Sequence, residues 1–292
     1  MDIQNLKAFL EIAESGSFSL AGQRLHLTQP AVSKRIAQLE DELGAALFDR
    51  IGRRVTLTEA GRALLPHAKS VQLELQAAER SVRDLSGEVS GQLRLATSHH
   101  IGLHRLPPVL SDFSARFAQV HIDIDFMDSE QAYDLTLKGD TELAVVTLAP
   151  EDVGHIIAQP IWPDPLDFMV QAGHELTQKS ALSLPALAAL PAILPGLNTY
   201  TGQIVKRLFD SHDLPLEISI ATNYLETIRM MASVGLGWTV LPRSMLDDTL
   251  APLPVDGVMV GRTLGVIYHE GRRLSRAARA FIEVLEAFGE SH

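Results

Sequence analysis

Cysteine is absent from the 292 residues. That excludes a disulfide framework, a thiolate-ligated zinc site and a thiol redox sensor. It fits a reducing cytosol. Long apolar runs are missing too: no stretch reaches the roughly 18 consecutive apolar residues of a membrane span. The first residues, MDIQNLKAFLEIAESG, carry Asp2, Glu11 and Glu14. They lack the basic start, apolar run and small-residue cleavage site of a secretory signal. The expectation is a cytoplasmic chain with no membrane partner. Enzyme signatures are equally scarce. There is no G-x-S-x-G nucleophile elbow, no G-x-x-x-x-G-K-[ST] phosphate loop, no H-E-x-x-H zinc helix and no G-x-G-x-x-G dinucleotide turn. The chain is expected to be no enzyme and to hold no cofactor.

Apolar residues make up 46% of the chain, enough for a buried core without cross-links, and the length allows two or three domains. The formal charge of −11 is unevenly spread. Residues 1–58 hold seven basic and seven acidic residues, whereas residues 89–292 hold 14 and 24. A strongly acidic surface repels nucleic acid. Any nucleic-acid contact is therefore expected from the neutral N-terminal part.

That part reads as three helices and a hairpin. Asn5 can cap the first helix, which buries Leu6, Phe9, Leu10 and Ile12. Ser17 can cap the second, and Thr28 the third, with Pro30 in its first turn where a missing N–H costs nothing. Val32, Ile36, Leu39 and Leu43 recur at helical spacing and are expected to face the core. Gly44 ends the helix. The opposite face presents Pro30, Ser33 and Lys34. Short side chains let a helix approach a groove, and the N-terminus with a lysine suits phosphate. Gln29 can form a two-pronged hydrogen bond with adenine. The next segment, LFDRIGRRVTLT, reads as a hairpin whose tip carries Arg50, Arg53 and Arg54, a wing against the DNA backbone or minor groove. Any one of these residues could equally belong to a solvated helix face. The combination of turn, capped helix and arginine-tipped hairpin favours DNA reading. Arg35 lies nearer the flank and can balance Glu40, Asp41 or Glu42.

The run FLEIAESGSFSLAGQRLHLTQPAVSKRIAQLEDELGAALFDRIGRRVTLTEAG, Phe9 to Gly61, resembles the LysR-type transcriptional regulators. The commonest family form has arginine where this chain has Lys34, a change that keeps the charge. The resemblance implies a winged helix-turn-helix, with DNA contacts on Gln29, Pro30, Ser33 and Lys34 and on Arg53 in the wing. Thr28 joins them as the cap. Double-stranded promoter DNA and RNA polymerase are the macromolecular partners implied.

Thr58 can cap a longer helix with small or apolar residues at Gly61, Leu64, Ala68, Val71, Leu75, Ala78, Val82 and Leu85. The steps alternate three and four, a heptad seam. A second chain would bury it; packing on the chain's own wing is the competing account. Pro66 should kink the helix. Two reading helices about one DNA turn apart recognise an inverted repeat, and the family resemblance implies a homodimer assembling to a homotetramer.

SGEVSGQ (86–92) reads as a hinge. Strands and helices then alternate, which implies a mostly parallel sheet covered by helices. The segment PIWPDPLDFMVQAGH, rich in proline, reads as a crossover, and SHHIGLHRLPP as a loop. The LysR resemblance, carried here by MMASVGLGWTVLPRSM, implies two periplasmic-binding-protein-like α/β subdomains closing on a small molecule. The domain reading is a winged helix-turn-helix at 1–58, a dimerisation helix at 59–88 and an effector-binding module at 89–292. Within the module, one lobe is 92–161 plus 266–292 and the other 162–265.

Ligands in open α/β sheets bind beyond the carboxyl ends of strands, near helix N-termini. That selects Thr97, Ser98, His99 and His100 after the first strand, and Asp128, Ser129 and Glu130 after the second. It also selects Asn198, Thr199, Tyr200 and Thr201, then Asn223 and Tyr224, with Thr147 near the hinge. Such groups suit a small organic anion, though Ser98 or Asn223 could simply cap its own helix. His99, His100 and His104 invite a metal reading. Their spacing fits no common site and no carboxylate or cysteine stands nearby in sequence, so no metal is expected. The histidines would instead donate to the anion and make binding pH-sensitive near pH 6–7. The loop SHHIGLHRLPP is similar to a LysR subgroup associated with leucine-biosynthesis genes, which implies an intermediate such as isopropylmalate. Two other classes compete: a solute-binding protein, which the C-terminal module alone would allow, and an architectural DNA-binding protein without effector switching.

Overall fold

The computed structural model describes residues 1–51, 54–83, 89–179 and 181–290. The chain forms two compact units, Met1–Ser86 and Gly87–His292.

In the first unit, α1 (Ile3–Ser15) begins at Asp2, whose carboxylate accepts the Gln4 N–H at 2.9 Å. Asn5, the expected cap, lies inside the helix and is buried. An aspartate one turn earlier takes the cap because its side chain reaches the free N–H groups first. Gly16 closes α1 in the left-handed conformation, φ 63°. Ser17 caps α2 (Phe18–Arg24) by accepting the Leu20 N–H. α3 (Gln29–Leu43) starts after Thr28 with Pro30 in its first turn and ends at Gly44, φ 67°. Val32, Ile36 and Leu39 are fully buried, but Leu43 is 44% exposed. It sits on the last turn of α3. β1 (Phe48–Ile51) and β2 (Arg54–Leu57) form the antiparallel hairpin, Phe48 opposite Leu57. Phe9 and Phe18 meet Phe48 at 5.3 and 5.9 Å between rings, so the hairpin base is pinned to the helical core.

Thr58 precedes α4 (Glu59–Arg83), accepting the Gly61 N–H at 3.0 Å and donating to the Ala46 carbonyl. The helix runs through Pro66 without interruption. Gly61 and Ala68 are buried and Leu64 packs against the N-terminal core. The first part of the apolar stripe is therefore used within the chain, as the competing account had it.

In the second unit, β3 (Gly91–Thr97), α5 (His99–His104), α6 (Leu106–Arg116), β4 (Val120–Phe126), α7 (Ser129–Leu137) and β5 (Leu143–Thr147) come first. β3 lies parallel to both β4 and β5. Gly91 and Gln92 begin β3, so the described end of the expected hinge is strand; residues 86–88 of that hinge lie outside the described residues. The expected loop SHHIGLHRLPP is two helices, α5 and the start of α6. Pro107 and Pro108 fall in the first turn of α6, where proline initiates rather than breaks a helix.

β6 (Ile156–Gln171) follows, then α8 (Leu184–Ala188), β7 (Ala192–Leu194), α9 (Tyr200–Asp210), β8 (Ile218–Ala221), α10 (Leu225–Ser233), β9 (Thr239–Pro242), β10 (Leu250–Pro252), β11 (Val260–His269) and α11 (Arg276–Glu290). β7 and β8 are parallel. The long strands β6 and β11 pair antiparallel to each other, and β5, β9 and β10 pair antiparallel to them. The sheet is thus mixed, not mostly parallel. The expected crossover is a 16-residue strand. Pro160, Pro163 and Pro165 fit because β6 pairs only with β11 there, β9 and β10 joining from Leu166 onward. Proline is tolerated where one side of a strand is free. The register against β11 steps at Leu264/Gly265, between Pro160 and Pro163 on β6.

Two sets of cores result. One gathers Leu93, Leu95, Ile101, Phe113, Val145, Trp162, Leu264 and Phe281, with Ala132, Tyr133 and Val146 in a neighbouring cluster. The other gathers Leu166, Phe168, Phe209, Trp238 and Val240, with Met169, Ile193 and Ile228 beside it. Trp162 and Leu264, read from sequence as second-lobe residues, belong to the first core. The change of lobe falls between Trp162 and Leu166 on β6 and between Val260 and Leu264 on β11. The Trp238 indole N–H donates to the Leu187 and Leu190 carbonyls, which satisfies its polar atom inside the second core.

Candidate functional site

On the first unit, Thr28, Gln29, Pro30 and Lys34 are exposed on the first turns of α3, and Ser33 is half-buried beside them. They form one continuous face at the helix N-terminus. The turn before α3 is tight: a Cβ on Gly22 would stand 2.8 Å from the Leu27 carbonyl oxygen. Arg35 turns to α1 and donates to the Gln4 side chain at 3.3 Å, not to Glu40, Asp41 or Glu42. Arg50 and Arg54 lie on the hairpin strands; Arg53 lies outside the described residues. On α4, Val71 is 38% exposed, Leu75 is half-buried and Ala78 exposed. Val82 is in the helix, and Leu85 lies outside the described residues.

On the second unit, a cavity of about 50 Å³ opens between the two lobes. Of the residues selected from sequence, Ser98, His99, His100, Ser129, Thr147, Thr199, Thr201 and Asn223 line it. Thr97, Asn198, Tyr200 and Tyr224 do not. Thr97 is fully buried and its hydroxyl donates to the Val145 carbonyl at 2.8 Å, which commits it to the sheet. Asn198 is exposed. Tyr224 lies tilted against His99, 4.9 Å between rings, and lines a neighbouring, larger and more apolar cavity of about 360 Å³ with Leu103, Phe126 and Leu225.

Several groups already have structural duties. Thr199 caps α9, accepting the Gly202 N–H and donating to the Gly196 carbonyl. The Asn223 carbonyl oxygen accepts the Gly196 N–H at 3.1 Å, while its amide donates to Asp128 at 2.6 Å across the cleft. Ser129 accepts the Thr147 N–H, which leaves its own proton for another acceptor. Ser98 precedes α5 but makes no cap bond among the described residues. The cleft also holds two carboxylates, Asp128 and Glu130. Burial pushes the Glu130 carboxyl up, against the Tyr200 N–H that donates to it.

The residue that sequence reasoning missed is Arg262, on β11. Its side chain is only 6% exposed and pairs with Asp164 at 2.8 Å. Arg105 holds the other Asp164 oxygen at 3.3 Å. Two guanidiniums share one carboxylate, so Asp164 does not neutralise both, and Arg262 lines a cleft that also carries Asp128 and Glu130. Arg262 Nη1 donates to Thr201 at 2.8 Å, and Nη2, buried, has no partner among the described residues. Both ring nitrogens of His100 are likewise buried and unpartnered. Leaving a buried donor or acceptor unsatisfied costs about 1–3 kcal/mol, so these atoms point to something that binds there. Burial, with the Arg262 guanidinium second, pulls His100 down to about 4. The ring is neutral at physiological pH, so His100 does not supply the pH 6–7 switch expected of it.

The comparisons agree with this architecture. Residues 3–62 match the model described as bacterial regulatory helix-turn-helix protein, lysR family, and residues 86–289 match the LysR substrate binding domain. A protein of Azotobacter vinelandii, an uncharacterized HTH-type transcriptional regulator in an ibpB-leuC intergenic region, is 65% identical over 108 residues, 37% of this chain and 75% of that protein. The Escherichia coli K12 transcriptional regulator YeiE is 32% identical over 286 residues, 96% of each chain. The crystal structure of full-length CbnR complexed with its target DNA shares the fold, with a TM-score of 0.70 at 20% identity over 99% of this chain and 100% of that one. No helix among the described residues is long and apolar enough to cross a membrane. With a helix-turn-helix unit and a two-lobed substrate-binding unit on one chain, the protein belongs to the LysR family of bacterial transcriptional regulators.

Proposed function

We propose that the protein binds promoter DNA as a homodimer assembling to a homotetramer, and that a small organic anion in the interlobe cleft switches it. Gln29, Pro30, Ser33 and Lys34 would read the major groove, with Thr28 at the cap and Arg50, Arg53 and Arg54 on the backbone or minor groove. Leu75, Ala78, Val82 and Leu85 would carry the seam between chains, with Val71 at its start. The effector module occupies 89–292 in this reading, after a connecting helix at 59–88.

The observation that carries the effector reading is Arg262. A guanidinium that is nearly dry, with one nitrogen unpartnered and facing a cleft, is suited to a carboxylate. The N-terminal ends of α7 and α9 open on the same cleft and add their dipoles. Asp128 and Glu130, at the start of α7, favour a ligand that also carries hydroxyl or ammonium donors. A hydroxy acid or amino acid meets both demands, and isopropylmalate is one such hydroxy acid. A ligand that binds the two lobe closures unequally shifts their populations. In an oligomer, that shift alters the spacing of the DNA-reading pairs.

The test is a thermal-shift screen of the full chain, with chelator present, against isopropylmalate, other hydroxy and dicarboxylic acids, amino acids and aromatic acids. A binder at about 100 times its dissociation constant should add roughly 2.7 kcal/mol of stability. Stabilisation by neutral analogues as strong as by the acids would refute the anion assignment.

A further inference from the structure

The histidines at the cleft edge are brought to a carboxylate that the sequence does not place near them. His100 and His104 stand four residues apart on α5, so their rings lie on one helix face, 4.8 Å between centroids. Glu226, in the first turn of α10, meets His104 Nε2 with its carboxylate at 2.6 Å. One ligand atom from each of the three residues lies within 4.8 Å of the other two. His100 is 5% exposed, and among the described residues neither of its ring nitrogens has a hydrogen-bond partner.

We propose that His100, His104 and Glu226 form a binding site for a divalent metal ion of the zinc class. Two histidines one helical turn apart with a carboxylate from a second helix are the donor set of a three-ligand zinc site with an open fourth position. The buried His100 supplies the otherwise unsatisfied nitrogen. Ligand atoms around a tetrahedral ion stand about 3.3 Å apart at bond lengths of about 2.0–2.1 Å. Small rotations of His104 and Glu226, both more than a third exposed, reach that geometry. Arg229 donates to the second Glu226 oxygen at 3.2 Å and orients the carboxylate, as outer partners of metal ligands do. The positive charge of Arg262 opposes a cation, and the carboxylate of Asp164, paired with it at 2.8 Å, offsets that charge.

The placement gives the ion a consequence. α5 packs through Ile101 into the first lobe's core, and α10 packs through Ile228 into the second. An ion held by both helices ties the lobes together at one edge of the cleft. His100 lines both cavities, so the open position faces the space between them.

The site can be tested without knowing the effector. Untagged full-length protein, stripped with chelator, is titrated with cobalt(II) as a spectroscopic probe and then with zinc(II). The expected result is one cobalt per chain with visible bands of low-symmetry coordination, displaced by zinc. His104→Ala and Glu226→Gln should each weaken binding at least about 10-fold, while His67→Ala, on α4, leaves it unchanged. Both altered side chains are partly exposed, so circular dichroism should report folded variants. Absence of a stoichiometric cobalt spectrum, or equal affinity in the His104 and Glu226 variants, overturns the proposal. A failed anion screen leaves this result untouched, because the titration contains no effector.

Discussion

Replacing Arg262 by methionine keeps most of the side-chain stem and removes the guanidinium. Asp164, 1% exposed, would then rely on Arg105 alone. Breaking a buried ion pair costs about 3–5 kcal/mol when a bare charge remains; the second arginine should hold the loss below that. The effect on ligand binding is separable, because each variant is compared with itself with and without ligand. A hydrogen bond to a charged group contributes about 1.5–3 kcal/mol, which corresponds to roughly 10–150-fold in dissociation constant. At a concentration about 100 times the wild-type constant, the wild type gains roughly 2.7 kcal/mol and the variant only about 0.3–1.4. For a unit of this size each kcal/mol moves the melting temperature by about 2–4 °C. The ligand-induced shift should therefore fall from about 5–11 °C to roughly 1–5 °C in a thermal scan. A variant that melts earlier yet keeps the full ligand-induced shift would refute the assignment of Arg262 to the anion.

Three further outcomes test the other unit. Lys34→Ala should weaken binding at specific and non-specific DNA alike and lower the salt slope by about one unit; an unchanged slope in a filter-binding series removes Lys34 from the interface. Leu75→Asp puts a charge into the proposed seam and should shift the oligomer towards smaller species in sedimentation velocity, whereas an intact assembly argues that the stripe packs elsewhere. Gly61→Ala places a Cβ 2.3 Å from the Leu47 carbonyl oxygen, a backbone clash expected to destabilise the N-terminal unit by about 1–3 kcal/mol in urea unfolding.

What the sequence showed most clearly was local. Ser17, Pro30 and Gly44 mark helix ends through contacts within four residues, and such signals survive any tertiary setting. Arg262 was not legible, because its meaning depends on Asp164, 98 residues earlier on a strand paired by the fold. The carboxylate beside His104 was not legible for the same reason: Glu226 is 122 residues from it. Reading SHHIGLHRLPP as a loop also hid the four-residue helical spacing of His100 and His104. The prolines of β6 misled in the opposite direction. They mark a strand with one free side, and only the neighbours in the sheet reveal that.

The position of Arg262 gives the switching account its physical content. The lobes keep largely separate apolar cores, so changing their closure need not open either one. What joins them across the cleft is mostly polar: Asn223 to Asp128, Tyr200 to Glu130, His104 to Glu226 and Arg207 to Glu151. Each involves a carboxylate; such bonds contribute about 1.5–3 kcal/mol when shielded from water and below about 1 kcal/mol when exposed, so a handful sets a balance of several kcal/mol. Reversing a 1:99 population takes about 5.5 kcal/mol of differential affinity, so an effector cannot work through one wall alone. Arg262 and Asp164 sit on β11 and β6 within the short stretch where both strands pass from one core to the other. In the proposed reading, an anion on that guanidinium, near the N-termini of α7 and α9, would contact both lobes and the strands that join them. Its affinity must then depend on the angle between the lobes, which is the condition for a ligand to act as a switch.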